Sequence, residues 1–108
     1  MIYELRVYRV LPGRMPAMLK RFQNETLRIW DKHGIRQAGF WTTMLGESNN
    51  DLTYMLAWES LAERESKWGA FVADPEWTTA RNASEADGQI VANVTSSILQ
   101  PTAFSSVR

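Results

Sequence analysis

His33 is the one side chain of this 108-residue sequence whose ordinary pKa lies near neutrality. It is therefore the first candidate for a general acid or base, and the only imidazole that could ligate a haem. It also falls at the C-terminal end of an amphipathic segment, where free carbonyls and the helix dipole favour a cationic or donor group as a plain cap. The capping role is the commoner fate of such a histidine. Tyr54 is a candidate hydrogen-bond donor to a ligand, catalytic if His33 is. Trp41 and Trp68 are candidate pocket walls among five tryptophans, most of which belong to the core or an interface. Arg64 stands beside Trp68 on the inner stripe of a helix, an unusual place for a guanidinium. It either pairs with a carboxylate such as Glu59, the reading preferred here, or anchors an anion.

Other chemistries lack their parts. With no cysteine and one histidine, neither a thiolate site nor an all-protein imidazole site can form within one chain, so no metal is expected. No Ser-His-Asp set, carboxylate pair or phosphate-cradling glycine loop emerges. Twelve basic residues balance twelve acidic ones without a basic run, which sets nucleic acid aside. Asn82-Ala-Ser84 fits a glycosylation acceptor by chance. The opening residues carry charge among apolar positions and read as a strand, so a cytoplasmic protein without a transmembrane segment is expected.

The elements that must position these residues follow from periodicity. Residues 2–10 alternate, with Tyr3, Leu5 and Val7 on one side and Ile2, Glu4, Arg6, Tyr8 and Val10 on the other. Glu4 and Arg6 share a face; ideal strand geometry keeps them apart, so each is expected to find a partner across an interface and fix its register. From Met15 to His33, the residues Met15, Leu19, Phe22, Thr26, Ile29 and His33 recur at helical spacing, with Lys20, Arg21, Gln23, Asn24 and Arg28 mostly opposite. Pro16 suits the first turn and Gly34 the left-handed position beyond the last.

Residues 38–45 and 52–58 read as strands joined by the turn-rich Gly46-Glu-Ser-Asn-Asn-Asp51 and paired antiparallel. Ser60 and Glu63 form a capping box for a helix over 60–73. Asp74-Pro75 ends that helix and starts another over about 75–86. Residues 89–99 form the last strand, closed by Pro101.

The order strand, helix, strand, strand, helix, strand specifies a single α+β domain over 1–108. It is a ferredoxin-like βαββαβ unit with a four-stranded antiparallel sheet and both helical segments on one face. Strand 52–58 is nearly apolar on both sides, and neighbours Phe40 and Trp41 must point oppositely. The bare face is therefore expected to pack on a second copy as a homodimer.

Five pieces in order carry a resemblance: Ile2-Tyr-Glu-Leu-Arg-Val-Tyr8 with Pro12-Gly13; Lys32-His-Gly34 followed by Gly39-Phe-Trp41; Trp58-Glu-Ser-Leu-Ala-Glu-Arg64; Asp74-Pro-Glu-Trp77; and Leu99-Gln-Pro-Thr-Ala-Phe104. Together they resemble the NIPSNAP domain over nearly the whole chain. The resemblance implies a dimeric α+β barrel. For function it implies less, since animal members are linked to mitochondria and vesicle traffic and bacterial members have no settled activity. Two readings follow. One is a dimeric module that binds a small apolar or aromatic ligand in a cleft between sheet and helices, with no cofactor. The alternative is an oxygenase or isomerase of the dimeric α+β barrel type, cofactor-independent or haem-related, using His33, Tyr54, Trp41, Arg64 and Trp68.

Overall fold

The computed structural model describes residues 1–108, with strands and helices in the order read from the sequence. Strand β1 (Ile2–Val10) lies between β3 (Asp51–Trp58) and β4 (Val91–Leu99), and β2 (Arg36–Thr42) pairs with the outer side of β3. All three pairings are antiparallel, giving the order β2-β3-β1-β4. Helices α1 (Met15–Arg21), α2 (Leu27–His33), α3 (Leu61–Val72) and α4 (Pro75–Ser84) cover one face of the sheet. The smallest dimension is 19 Å, the thickness of one sheet and one helical layer.

Register divides the side chains of β1. Glu4, Arg6 and Tyr8 lie opposite Leu56, Tyr54 and Leu52 and turn toward the helices. There Met18, Phe22, Ile29, Trp30, Tyr54 and Phe71 form the heart of the core. Tyr3, Leu5 and Val7 lie opposite Ala57, Met55 and Thr53 on the face without helices. Phe40 and Trp41 do point oppositely: Phe40 stacks on Tyr54 at 4.8 Å, while Trp41 is 52% exposed. The helix-free face is less uniformly apolar than its central strands suggest, because Ser97 and Thr95 of β4 face Leu5 and Val7. Its apolar strip runs along β1, β3 and Trp41. Strand β2 starts earlier and ends earlier than the aromatic run implies, and Gly39, at φ 126°, carries the irregularity between Gln37 and Phe40.

Three caps fall where the sequence puts them, with one change of partner. Ser60 Oγ accepts from the Glu63 amide at 3.1 Å, but the Glu63 carboxylate reaches one residue further back, to the Glu59 amide at 3.1 Å. Asp74 caps α4 by accepting from the Glu76 amide at 2.9 Å. Gly34 ends α2 at φ 70°.

The larger departure is inside the first helical segment. A π-helical turn, Phe22–Thr26, separates α1 from α2. The Thr26 hydroxyl donates to the Arg21 carbonyl five residues back at 3.4 Å. On an uninterrupted α-helix, at about 100° per residue, the arc of Met18, Arg21 and Phe22 would lie about 80° away from that of Thr26, Ile29 and Trp30. The extra residue of the wide turn cancels most of that angle, and all six side chains are buried. Arg21, assigned to the wet side by regular periodicity, is thereby drawn inward, and Leu19, assigned to the core stripe, is 41% exposed.

Candidate functional site

A cavity of about 690 Å³ opens between the helical layer and the β1–β4 side of the sheet. It exists because the helices lie over β1, β2 and β3 and leave β4 largely uncovered: Val94 and Ile98 are 41% and 44% exposed. Its apolar wall includes Trp68 and Phe71 of α3 and Trp77 of α4. Its polar wall holds Arg6, Tyr8, Arg21, Arg81 and Glu85.

Behind the cavity lies a buried polar cluster. Glu4 is fully buried, and its carboxylate accepts from Arg64 Nε and Nη2 at 2.8 and 3.1 Å, Arg6 Nη1 at 3.1 Å, Trp58 Nε1 at 3.1 Å and Ser96 Oγ at 2.5 Å. Burial works to raise the Glu4 carboxyl, but the bonds from Arg64, Ser96 and Trp58 outweigh it and hold the group at about 2. Glu4 and Arg6 therefore find each other within the chain and face the helices. The expectation that they meet partners across an interface does not hold, because long side chains close a gap that strand spacing alone leaves open. The Arg64 ion pair exists, but its partner is Glu4; Glu59 is taken by Arg36 at 3.2 Å.

Arg6 links this cluster to the cavity. Its Nε donates to the Tyr54 hydroxyl at 2.7 Å, and Tyr54 donates to the Tyr8 hydroxyl at 3.0 Å. Its guanidinium also lies over the Trp68 ring at 4.7 Å. Tyr54 is fully buried, and burial pushes its hydroxyl well above the ordinary phenol value. Tyr8, not Tyr54, reaches the cavity wall.

Of the five candidate site residues named from the sequence, the structure brings only Trp68 to this cavity directly. Tyr54 stands one hydroxyl behind it, and Arg64 is committed to Glu4. Trp41 lies on the opposite face of the sheet, in register with Thr53. His33 sits at the far end of α2, its Nε2 2.7 Å from Asp74 Oδ2. Lys32 and His33, with the Glu76 amide, hold the Asp74 carboxyl well below the usual aspartate range. The imidazole thus bonds the carboxylate that caps α4 and not the free carbonyls of its own helix, and an imidazole so engaged and outside the cavity wall does not fit a haem bound there. No three His, Asp or Glu side chains converge as a metal-holding group.

The site also holds Arg21, Tyr8, Trp77 and Arg81, which the sequence does not single out for it. Tyr8 shares the alternation of Glu4 and Arg6, which was the one sequence signal available. Arg21 depends on the π turn, for which the sequence carries no comparable signal.

Comparison with known proteins places this geometry in a family. The sequence profile described as NIPSNAP matches residues 3–106. A protein from Agrobacterium tumefaciens, Atu4242, is 28% identical with a TM-score of 0.87, each chain covered over 100% of its length. An uncharacterized NIPSNAP domain protein from Burkholderia xenovorans is 28% identical with a TM-score of 0.84, covering 97% of this chain and 98% of the other. At 11% identity and a TM-score of 0.63, a candidate antibiotic biosynthesis monooxygenase from Nitrosomonas europaea shares the fold over 94% of this chain and 98% of its own. No protein of curated function is matched by the sequence.

Proposed function

Because the chain belongs to the NIPSNAP family, one of whose solved structures is described as a family protein with unknown function, we propose that it is a homodimeric module that binds a planar apolar or aromatic small molecule in the cavity between sheet and helices. The observation that carries the reading is the cavity itself: about 690 Å³, within the range of small-molecule sites, and walled by Trp68, Phe71 and Trp77. Dimerisation belongs to the same proposal. Its support is the apolar strip of Leu5, Val7, Met55 and Trp41 on the helix-free face. A sheet face of this size presents roughly 500 Å² of footprint per copy, enough for a modest two-fold interface.

The test follows the five indole N–H signals of nitrogen-15-labelled protein during titration with 2-naphthol. The signals of Trp68 and Trp77 should move while that of Trp41 stays still. No movement of either at millimolar probe would defeat the reading.

One observation favours a second reading, the oxygenase or isomerase. The Arg6–Tyr54–Tyr8 chain brings an ionisable hydroxyl, backed by a guanidinium, to the cavity wall. Such a group could donate a proton to a bound carbonyl. Catalysed deuterium exchange at the α-carbon of 2-tetralone, lost in Tyr8→Phe, would favour this reading; exchange at the solvent rate would remove it.

A further inference from the structure

Charge in and behind the cavity is unbalanced although the chain as a whole is neutral. Four guanidiniums, of Arg6, Arg21, Arg64 and Arg81, meet two carboxylates, of Glu4 and Glu85, a surplus of two positive charges. Glu4 is saturated by Arg6, Arg64 and its neutral donors. One surplus charge stays with Arg6 and Arg64 around Glu4, and the other falls on Arg21 and Arg81, which share only Glu85.

Arg21 is 6% exposed and poorly satisfied. Its Nη1 reaches Ser84 Oγ and a Glu85 oxygen only at 3.3 and 3.4 Å, near the limit of a hydrogen bond, and its Nε has no partner. Trp30, which lines the same cavity, also has an indole N–H without a partner. Native proteins seldom leave buried donors unmatched, and both of the residues that carry these line the cavity. Arg81, on α4, is exposed and forms no ion pair within the chain.

The aromatic wall and the cations are in contact with one another. Arg6 lies over Trp68 at 4.7 Å and Arg21 over Trp77 at 5.5 Å. A ligand ring resting on either indole would thus lie within a few ångströms of a guanidinium. The π turn that carries Phe22 and Thr26 to the cavity also turns Arg21 toward it, and such turns recur at functional sites.

We propose that the ligand is an aromatic carboxylate, with its ring against the indoles of Trp68 and Trp77 and its carboxylate held by Arg21 and Arg81. This rests on the cavity being a binding site for planar molecules and adds the charge the ligand must carry. The carboxylate would replace the long contacts of Arg21 with charge-assisted bonds and neutralise half of the surplus.

Calorimetric titration with 2-naphthoate and with its neutral isostere 2-naphthamide tests it. Naphthoate should bind at least tenfold more tightly at low salt, with the preference shrinking as ionic strength rises. Arg21→Gln should reduce the preference to within about twofold and Arg21→Lys should restore part of it; far-UV circular dichroism checks each fold. Arg81→Gln, at an exposed position, keeps the test available if Arg21→Gln does not fold, and should reduce the preference several-fold. Equal affinity for the two probes overturns the charge assignment and leaves the planar-ligand site intact. A naphthoate preference unchanged by either folded arginine variant overturns the assigned anchors. Failure of both probes to bind removes the binding site and this inference together.

Discussion

Replacing the Glu4 carboxylate by an amide, Glu4→Gln, is the sharpest test of how the site is held. One oxygen accepts from Arg64 Nε and Trp58, and the amide oxygen can keep both. The other accepts from Arg64 Nη2, Arg6 and Ser96, and in the variant an NH2 group would face those donors. Removing one partner from a buried ion pair leaves the others uncompensated, a cost of about 3–5 kcal/mol. The protonation equilibrium gives a second measure. A carboxyl held at about 2 against an ordinary 4.5 contributes about 3 kcal/mol at neutral pH, at about 1.4 kcal/mol per pKa unit.

Because the folded value is the lower one, this stability is complete above the ordinary carboxyl range. It is lost as pH falls from about 4.5 through about 2. Urea unfolding at one protein concentration, at pH 7 and pH 3, is the assay. With a slope of about 1.5 kcal/mol per molar urea, the Glu4→Gln midpoint should fall by about 2 M at pH 7. The free-energy gap to the unmodified protein should shrink to less than half of its neutral-pH size at pH 3. Midpoints within about 0.3 M of each other at pH 7, or a gap unchanged at pH 3, would refute the argument.

Other expectations are shorter. Gly34→Ala forces a side chain into φ 70° beside Lys67 Nζ at 3.2 Å and should destabilise by about 1–2 kcal/mol, read as a lower melting temperature. Sedimentation equilibrium at micromolar protein should give twice 12.4 kDa, and Val7→Glu, on the helix-free strip, should halve it; a monomeric unmodified chain would remove the dimer. Haem titration followed at the Soret band should be indifferent to His33→Ala, since the imidazole is tied to Asp74; a His33-dependent shift would place the ring in the cavity. The Asp74 carboxyl lies below its ordinary range, so its support for the α2–α4 contact should weaken as pH falls below that range. Broadening of the neighbouring Phe71 ring signals on acidification would show it, and unchanged signals would count against the coupling.

The fold is legible because most elements announce their period or their ends, the bounds of β2 and the break inside the first helical segment excepted. β1 alternates, Ser60 and Asp74 cap, Gly34 turns left-handed, and the order of elements leaves little choice of topology. The site was less legible, for reasons that can be named. An ion pair at Arg64 is legible from its place on the inner stripe, but the identity of its partner depends on β1 passing beneath α3, which local spacing cannot express. His33 stood out by its chemistry and proved to be a helix-end residue, since acid–base capacity says nothing about which cavity a side chain reaches. Trp41 and Trp68 look alike in sequence and lie on opposite faces of one sheet. Arg21 was hidden because a constant helical pitch assigns it to water, and only the π turn reverses that assignment.

The wide turn at Phe22–Thr26 lets the helical segment carry one residue more than a uniform pitch would allow without changing what it presents to the pocket. Gln23 and Asn24 are exposed, so the loss of one of them would remove little packing by itself. It would restore uniform pitch and leave the two helices facing as they do, within about 20°, so Arg21 would stay turned inward. A homologue one residue shorter between Pro16 and Gly34 would then keep the same strands, caps and charged pocket floor on an unbroken helix. An alignment that puts the gap outside residues 22–26 would shift that arginine out of register with the pocket.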